Sequence, residues 1–264
     1  MKPDAFLANH SLFTREELAA ALRGRRPATI DAHLARWRRQ GRVLRVKNGV
    51  YVRSDAGGAS QPSPPPDLVA LAARMAPDAA AAYHTALEAH GFAQSLFERF
   101  TFVTWTRVKP VEFLGRRFAP VRPRAPLVDH DGGEPWVELV DRSGLEVRVT
   151  SVERTVVDVL DRPSISGGVE EVWRSLGAVP AVDPEALVGY VRALGSHTVA
   201  ARVGYFLDVR RDELAVPAET LDQLESMRPR QAMYLDRSLG GRLVSRWNLI
   251  VPDELAGQAA GGAW

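Results

Sequence analysis

Apolar positions in the first fifty-odd residues fall into three helical stripes followed by two alternating runs. Residues 3–9 read as a short helix leading into Ser11-Leu12-Phe13. Thr14 opens a second helix, with Glu17 at the spacing of a capping box and Phe13 and Leu18 at the N′ and N4 positions of a hydrophobic staple. Leu18, Ala21 and Leu22 supply its buried stripe and Gly24 ends it. A third helix is expected from about Ala28 to Gln40, with Gly41 as its stop. At about 100° per residue Ile30, Leu34 and Trp37 share one narrow arc, a single seam facing a core. VLRV and VYVR then flank Asn48-Gly49, the strongest short-range signal for a hairpin. Three helices and a two-stranded wing follow one another in the order of a winged helix-turn-helix.

Beyond Arg53 the pattern changes. Ser54 to Asp67, SDAGGASQPSPPPD, is nearly free of apolar residues and reads as a linker whose prolines keep its second half extended. The expected organisation is therefore a winged helix-turn-helix domain over 1–53, a linker over 54–67 and a larger mixed body over 68–264, an α+β chain with a disordered tail at 257–264. In the body, residues 68–75 and 78–90 look helical, with Gly91 as a stop, and 100–105, 136–140 and 145–149 read as strands. Thr150 and Glu153 have capping-box spacing before a helix that puts Val152, Val156, Val159 and Leu160 on one face. From 168 to 231 the pattern is mainly helical, broken between Pro180 and Pro184. Residues 233–251 read as a late hairpin turning at Gly240-Gly241.

Charge sharpens this division. Residues 1–55 hold 12 Lys and Arg against 5 Asp and Glu, whereas 56–264 hold 22 against 27. A basic head on a mildly acidic body suggests a polyanion as partner of the head. On the third helix, the face opposite the seam carries Thr29, Ala32, Ala35, Arg36 and Arg39. Two alanines keep that face slim between flanking arginines, which suits a helix lying in the DNA major groove, where guanine presents O6 and N7 to arginine. The candidate DNA contacts are Thr29, Arg36 and Arg39 in the groove, with Arg25, Arg26, Arg45, Lys47 and Asn48 on the backbone or the wing side. His33 reads as a half-buried flank residue. Arg38 lies nearer the core side than Arg39, to snorkel or touch phosphate. In the body, GRRFAPVRPRAP concentrates Arg116, Arg117, Arg122 and Arg124, either a second anion-binding surface or a solvated loop.

Catalytic chemistry finds little foothold. The absence of cysteine removes disulfides, zinc fingers, iron–sulfur sites and a thiol nucleophile. The three lysines, Lys2, Lys47 and Lys109, fit neither a phosphate-binding Gly-Lys-Ser/Thr loop nor an acid-x-Lys nuclease motif. Glu146-Val-Arg148 reads as ordinary strand, and His84 and His90 fall on different helix faces. Asp129-His130-Asp131 before Gly132-Gly133 reads as a solvated turn, and Arg154 with Asp158 as a surface i,i+4 pair. No enzyme activity, cofactor or metal is expected. No apolar run is long enough to span a membrane. MKPDAFLANH lacks the apolar core of a signal peptide, which points to the cytoplasm.

FTREEL, RWRRQGRVLRVKNGVYVR, YHTALEAHG, VTSVERTVVDVLDRP followed by Gly-Gly, RVGYFLD and RWNLIVP occur in that order along the chain. Together they make it resemble the AbiEi antitoxin-regulators of AbiE-type (type IV) toxin–antitoxin pairs. The resemblance implies a winged helix-turn-helix that binds inverted repeats of double-stranded DNA in its own promoter. It also implies a larger domain that opposes a nucleotidyltransferase-like toxin, with direct contact to that toxin left open. A single winged helix reads a half-site, so two copies are expected to associate on DNA. An alternative reading keeps the regulator and gives the body a ligand-sensing or dimerising role.

Overall fold

The computed structural model describes residues 2–54, 65–124, 136–142 and 144–256. Most of the linker, the Asp129-His130-Asp131 turn and the 257–264 tail lie outside them. Among the described residues the fold is mixed α/β, with helices and three sheets. The chain forms two compact units, one of Met1–Ala81, Glu98–Arg122 and Leu139–Arg148, the other of Ala82–Phe97, Pro123–Glu138 and Val149–Trp264.

In the first unit, α1 (Pro3–Asn9), α2 (Arg15–Ala21), α3 (Pro27–Arg39), β2 (Val43–Lys47) and β3 (Val50–Arg53) follow the predicted order, and a strand the sequence did not suggest, β1 (Leu12–Thr14), stands between α1 and α2. The capping box is present: Thr14 Oγ1 accepts from the Glu17 N–H at 3.1 Å, and the Thr14 N–H donates to Glu17 Oε2 at 2.7 Å. Phe13, Leu18, Ile30, Leu34 and Trp37 close one core with Phe6, Leu7, Val43 and Tyr51. The sheet has three strands rather than two, because Leu12–Thr14 pairs antiparallel with β3 and gives the order β1-β3-β2. Gly49, at φ +80°, makes the wing turn, and its carbonyl accepts from the Arg15 N–H at 2.8 Å.

A six-stranded sheet in the order β6-β7-β5-β4-β9-β8 follows. Beside α4 (Leu68–Ala72) it holds β4 (Ala80–Ala81), β5 (Arg99–Val103), β6 (Val111–Phe113), β7 (Arg116–Val121), β8 (Val137–Arg142) and β9 (Leu145–Thr150). Two expectations change here. The alanine-rich start of the 78–90 segment is strand β4, and only His84–His90 is helical. The arginine-rich 116–121 segment is not a loop but a strand parallel to β5, from Arg99 opposite Arg117 to Val103 opposite Val121.

The second unit contains α5 (His84–His90), α6 (Val152–Asp161), α7 (Val169–Gly177), α8 (Pro184–Leu194), α9 (His197–Val209) and α10 (Ala218–Ser226). Gly91 ends α5 in the left-handed region, as expected. The cap of α6 is Ser151, whose Oγ accepts from the Arg154 N–H at 3.3 Å, one residue later than the Thr150 spacing predicts. Thr150 instead exchanges a hydroxyl hydrogen bond with Thr155 at 2.7 Å. Residues Arg154 to Leu160 are all buried, because α6 packs against both α8 and α9.

The late segment is not a hairpin at Gly240-Gly241. β10 (Met233–Tyr234) runs parallel to β12 (Leu249–Val251), and β11 (Arg242–Val244) pairs antiparallel with β12 through a turn at 245–248. Gly204 of α9 admits the Trp247 ring, since a Cβ there would stand 2.1 Å from it. Trp247 Nε1 donates to Asp208 at 2.9 Å and Arg246 pairs with the same carboxylate at 2.8 Å. RVGYFLD and RWNLIVP are thus halves of one packing contact.

Candidate nucleic-acid interface

Burying Ile30, Leu34 and Trp37 fixes which side of α3 remains outside. Ala32, Ala35, Arg36 and Arg39 are exposed and Thr29 is half-exposed, so the face drawn from the sequence is the outer face. Ala32, Ala35, Arg38 and Arg39 share a concavity with Val43, Leu44 and Arg45 of β2. Small and apolar side chains line it together with three arginines, a lining and charge suited to a nucleic-acid backbone between helix and wing. Arg38 therefore belongs to the exposed rim of this groove rather than to the core side. One turn of α3 packs towards β2 at this point, and its angular position on an isolated helix does not reveal that neighbour.

The remaining candidates divide by what they touch. Arg25 and Arg26 are exposed in the turn before α3, where Pro27 takes the first helical position. Arg36 reaches His33 Nδ1 at 3.5 Å, and the half-buried His33 ring lies 6.0 Å from Trp37. Arg45 donates to Asn48 Oδ1 at 3.0 Å and to the Lys47 carbonyl at 3.3 Å, so these two residues brace the wing tip. The Lys47 ammonium donates to the Met75 carbonyl at 2.5 Å, and burial lowers its pKa. Lys47 thus ties the wing to the segment after α4. Asp31, exposed on α3, is held by Arg15 through bonds of 2.7 and 3.0 Å, which neutralises the acid on the helix. The Arg15 hydrogen bond also keeps its carboxyl below the ordinary value.

The four body arginines do not act alike. Arg116 pairs with Glu98 at 2.9 Å, and Arg124 with Asp161 at 2.7 Å. Arg117 is exposed and stands opposite Glu112 in the β6–β7 ladder. Arg122 is exposed with its guanidinium 5.8 Å from the centre of the Trp105 ring.

Buried polar groups in the second unit serve the core. Asp158 accepts from Tyr190 Oη at 2.7 Å and lies 3.4 Å from Arg154, so the expected surface pair is an interior one. Burial raises the Asp158 carboxyl, against the opposing pull of Arg154. Glu171 accepts from Ser95 and Ser175 and meets His84 Nε2 at 3.3 Å. Burial lowers the His84 pKa more than Glu171 raises it. His90 reaches the Thr150 carbonyl at 2.8 Å, and no group of three metal-ligating side chains occurs among the described residues. No helix among them is long and apolar enough to cross a membrane.

Residues 1–54 match the family described as "Transcriptional regulator, AbiEi antitoxin". That match supports a regulator or antitoxin role. The crystal structure of the RV2827C protein from Mycobacterium tuberculosis is similar over 98% of this chain and 92% of that one, with a TM-score of 0.61 and 15% identity. At that identity the likeness shows the fold alone. No curated protein matches the chain.

Proposed function

We propose that this chain, whose first 54 residues fall in the AbiEi antitoxin and transcriptional-regulator family, is a DNA-binding autorepressor and the antitoxin of a nucleotidyltransferase-like toxin. The observation that carries the DNA-binding half is the outer face of α3. Exposed Ala32 and Ala35 line a groove with Arg38, Arg39 and the wing residue Arg45, and Arg36 is exposed on the same helix. In this reading residues 1–53 form the winged helix-turn-helix, 54–67 the linker and 68–264 the antitoxin body. Thr29, Arg36 and Arg39 face base edges, while Arg25, Arg26, Arg38, Arg45 and Asn48 hold phosphates. Lys47 takes a bracing role instead. The family match supports the antitoxin half, which rests on no single residue of the body.

Replacing both Arg36 and Arg39 with Ala tests the docking. If each grips a guanine, each loss costs about 1–3 kcal/mol and relaxes specificity at one base pair. If each holds a phosphate, binding weakens alike on all sequences and the salt slope falls by about 0.9 per contact. Unchanged affinity and slope would sink the proposal. For the antitoxin half, cells expressing the adjacent gene are grown with and without the full chain. Rescue supports it, and a toxic neighbour without rescue leaves a regulator only.

A further inference from the structure

The first unit carries a second basic surface, and it is built around a pocket rather than spread along a loop. Residues 98–122 hold six basic side chains against two acidic ones. Arg116 is neutralised by Glu98, and Arg117 faces Glu112 across the ladder. Arg107, Lys109 and Arg122 are exposed and have no acidic partner among the described residues. Arg107 and Arg122 line a pocket of about 360 Å³ together with Thr104, Trp105, Thr106 and Pro120.

The loop that shapes this pocket is held from beneath by one carboxylate. Asp78 accepts from the Thr104 hydroxyl at 2.6 Å, the Thr106 hydroxyl at 2.7 Å, and the Trp105 and Thr106 N–H groups at 2.6 and 3.2 Å. Four donors engage that charge, so the arginines are left to face outward. Trp105 is half-exposed with the Arg122 guanidinium 5.8 Å from its ring centre, and offers a flat apolar surface in a pocket that Arg107 also lines. The strand that follows the loop, β6, lies beside the wing strand β2 within the same unit. β2 also lines the groove beside α3, so β6 neighbours an element of the proposed DNA-facing groove.

We propose that the Thr104–Arg107 loop and Arg122 form a second clamp on duplex DNA. Arg107 and Arg122 would hold backbone phosphates flanking the sequence read by α3, and Trp105 would pack on a deoxyribose. This rests on the reading of α3 as the DNA-facing helix. A phosphate-rich partner is favoured over an acidic protein segment because the strand after the loop, β6, neighbours the wing strand β2, which lines the groove beside α3. The clamp carries no base-reading group and adds affinity without sequence preference.

The test compares the full-length chain with an Arg107→Ala/Arg122→Ala variant on two duplexes, one covering only the α3 site and one extended by flanking base pairs. On the long duplex the slope of log K against log salt is expected to fall by about 1.8, for two phosphates, with no change on the short one. An Arg107→Lys/Arg122→Lys variant should restore the slope, since a phosphate contact needs charge rather than a fork. An unchanged slope on the long duplex overturns the clamp. So does loss of opposition to the toxin with DNA binding intact, which would assign the surface to a protein. The Arg36/Arg39 variant on the same duplexes separates the two readings. If it weakens binding while the Arg107/Arg122 variant does not, the clamp alone falls. If neither weakens binding, the reading of α3 falls with it.

Discussion

Asp78 sits between Pro77 and the two-residue strand β4, where nothing in the local pattern marks it out, yet it organises the 104–106 loop with four accepted hydrogen bonds. Burial alone would raise its carboxyl. The hydrogen bonds from Thr104, Thr106 and Trp105 outweigh that and hold it below the ordinary carboxylate value. A carboxyl with a lowered folded pKa stabilises the fold above its unfolded value of about 3.9, and that contribution drains away as pH falls through the folded value. Asp78→Asn should therefore be less stable than the parent at pH 6, and the gap should close below about pH 4. Urea midpoints at several pH values check this, and a gap that stays constant into acid would remove the carboxylate charge from the account. Proximity to Thr104 is set by the sheet, across more than twenty positions, so sequence reading had no route to it. Arg154 and Asp158 show the same limit, since i,i+4 spacing looks identical on a solvated helix and on one enclosed by α8 and α9.

At the scale of elements, legibility follows how local the determining interaction is. The Thr14–Glu17 box, the Ile30–Leu34–Trp37 seam and the Asn48-Gly49 turn each lie within a few residues, and all three stand as read. Ala80–Ala81 has helix-forming residues but pairs with Phe102 and Val103 of β5, so tertiary pairing overrides propensity. β7 contains Pro120 and two arginines at its start, and it pairs antiparallel with β6 on one side and parallel with β5, a strand earlier in the chain, on the other. β1 is three residues long, too short for a period-two signal to declare itself. For the candidate site, the outward residues of α3 were legible from periodicity, whereas Arg38 in the groove and Lys47 on Met75 depended on neighbours from other elements. The capping box gives this scale its prediction. Thr14→Ala removes the acceptor for the Glu17 N–H and leaves only the backbone bond to Glu17 Oε2, at a cost of about 0.5–2 kcal/mol. Calorimetry of the full chain should show a lower Tm for the variant. An unchanged Tm would mean that the Phe13 and Leu18 burial alone fixes the start of α2.

Over the whole molecule the charge is segregated. The basic residues of the head and of 98–122 fall in the first unit, and the rest of the chain beyond residue 55 is left with 16 basic against 25 acidic side chains. A chain so polarised should approach DNA with its first unit, while an acidic remainder disfavours wrapping by the rest. One α3 can read only about one half-site, because a single helix occupies one stretch of major groove. Under the proposed function, a duplex with inverted half-sites about 10 base pairs apart, centre to centre, should take up two chains. Sedimentation of the complex at increasing protein would count them. Inserting about 5 base pairs between the half-sites turns one to the opposite face of the helix. If the two chains touch on DNA, that insertion should abolish cooperativity while each half-site keeps its own affinity, and a further 5 should partly restore it. Binding indifferent to the insertions would mean that the copies act independently, so that repression would follow from occupancy of each half-site. A single chain per duplex at saturation would instead require one molecule to reach both repeats, and one α3 offers no second surface able to read bases.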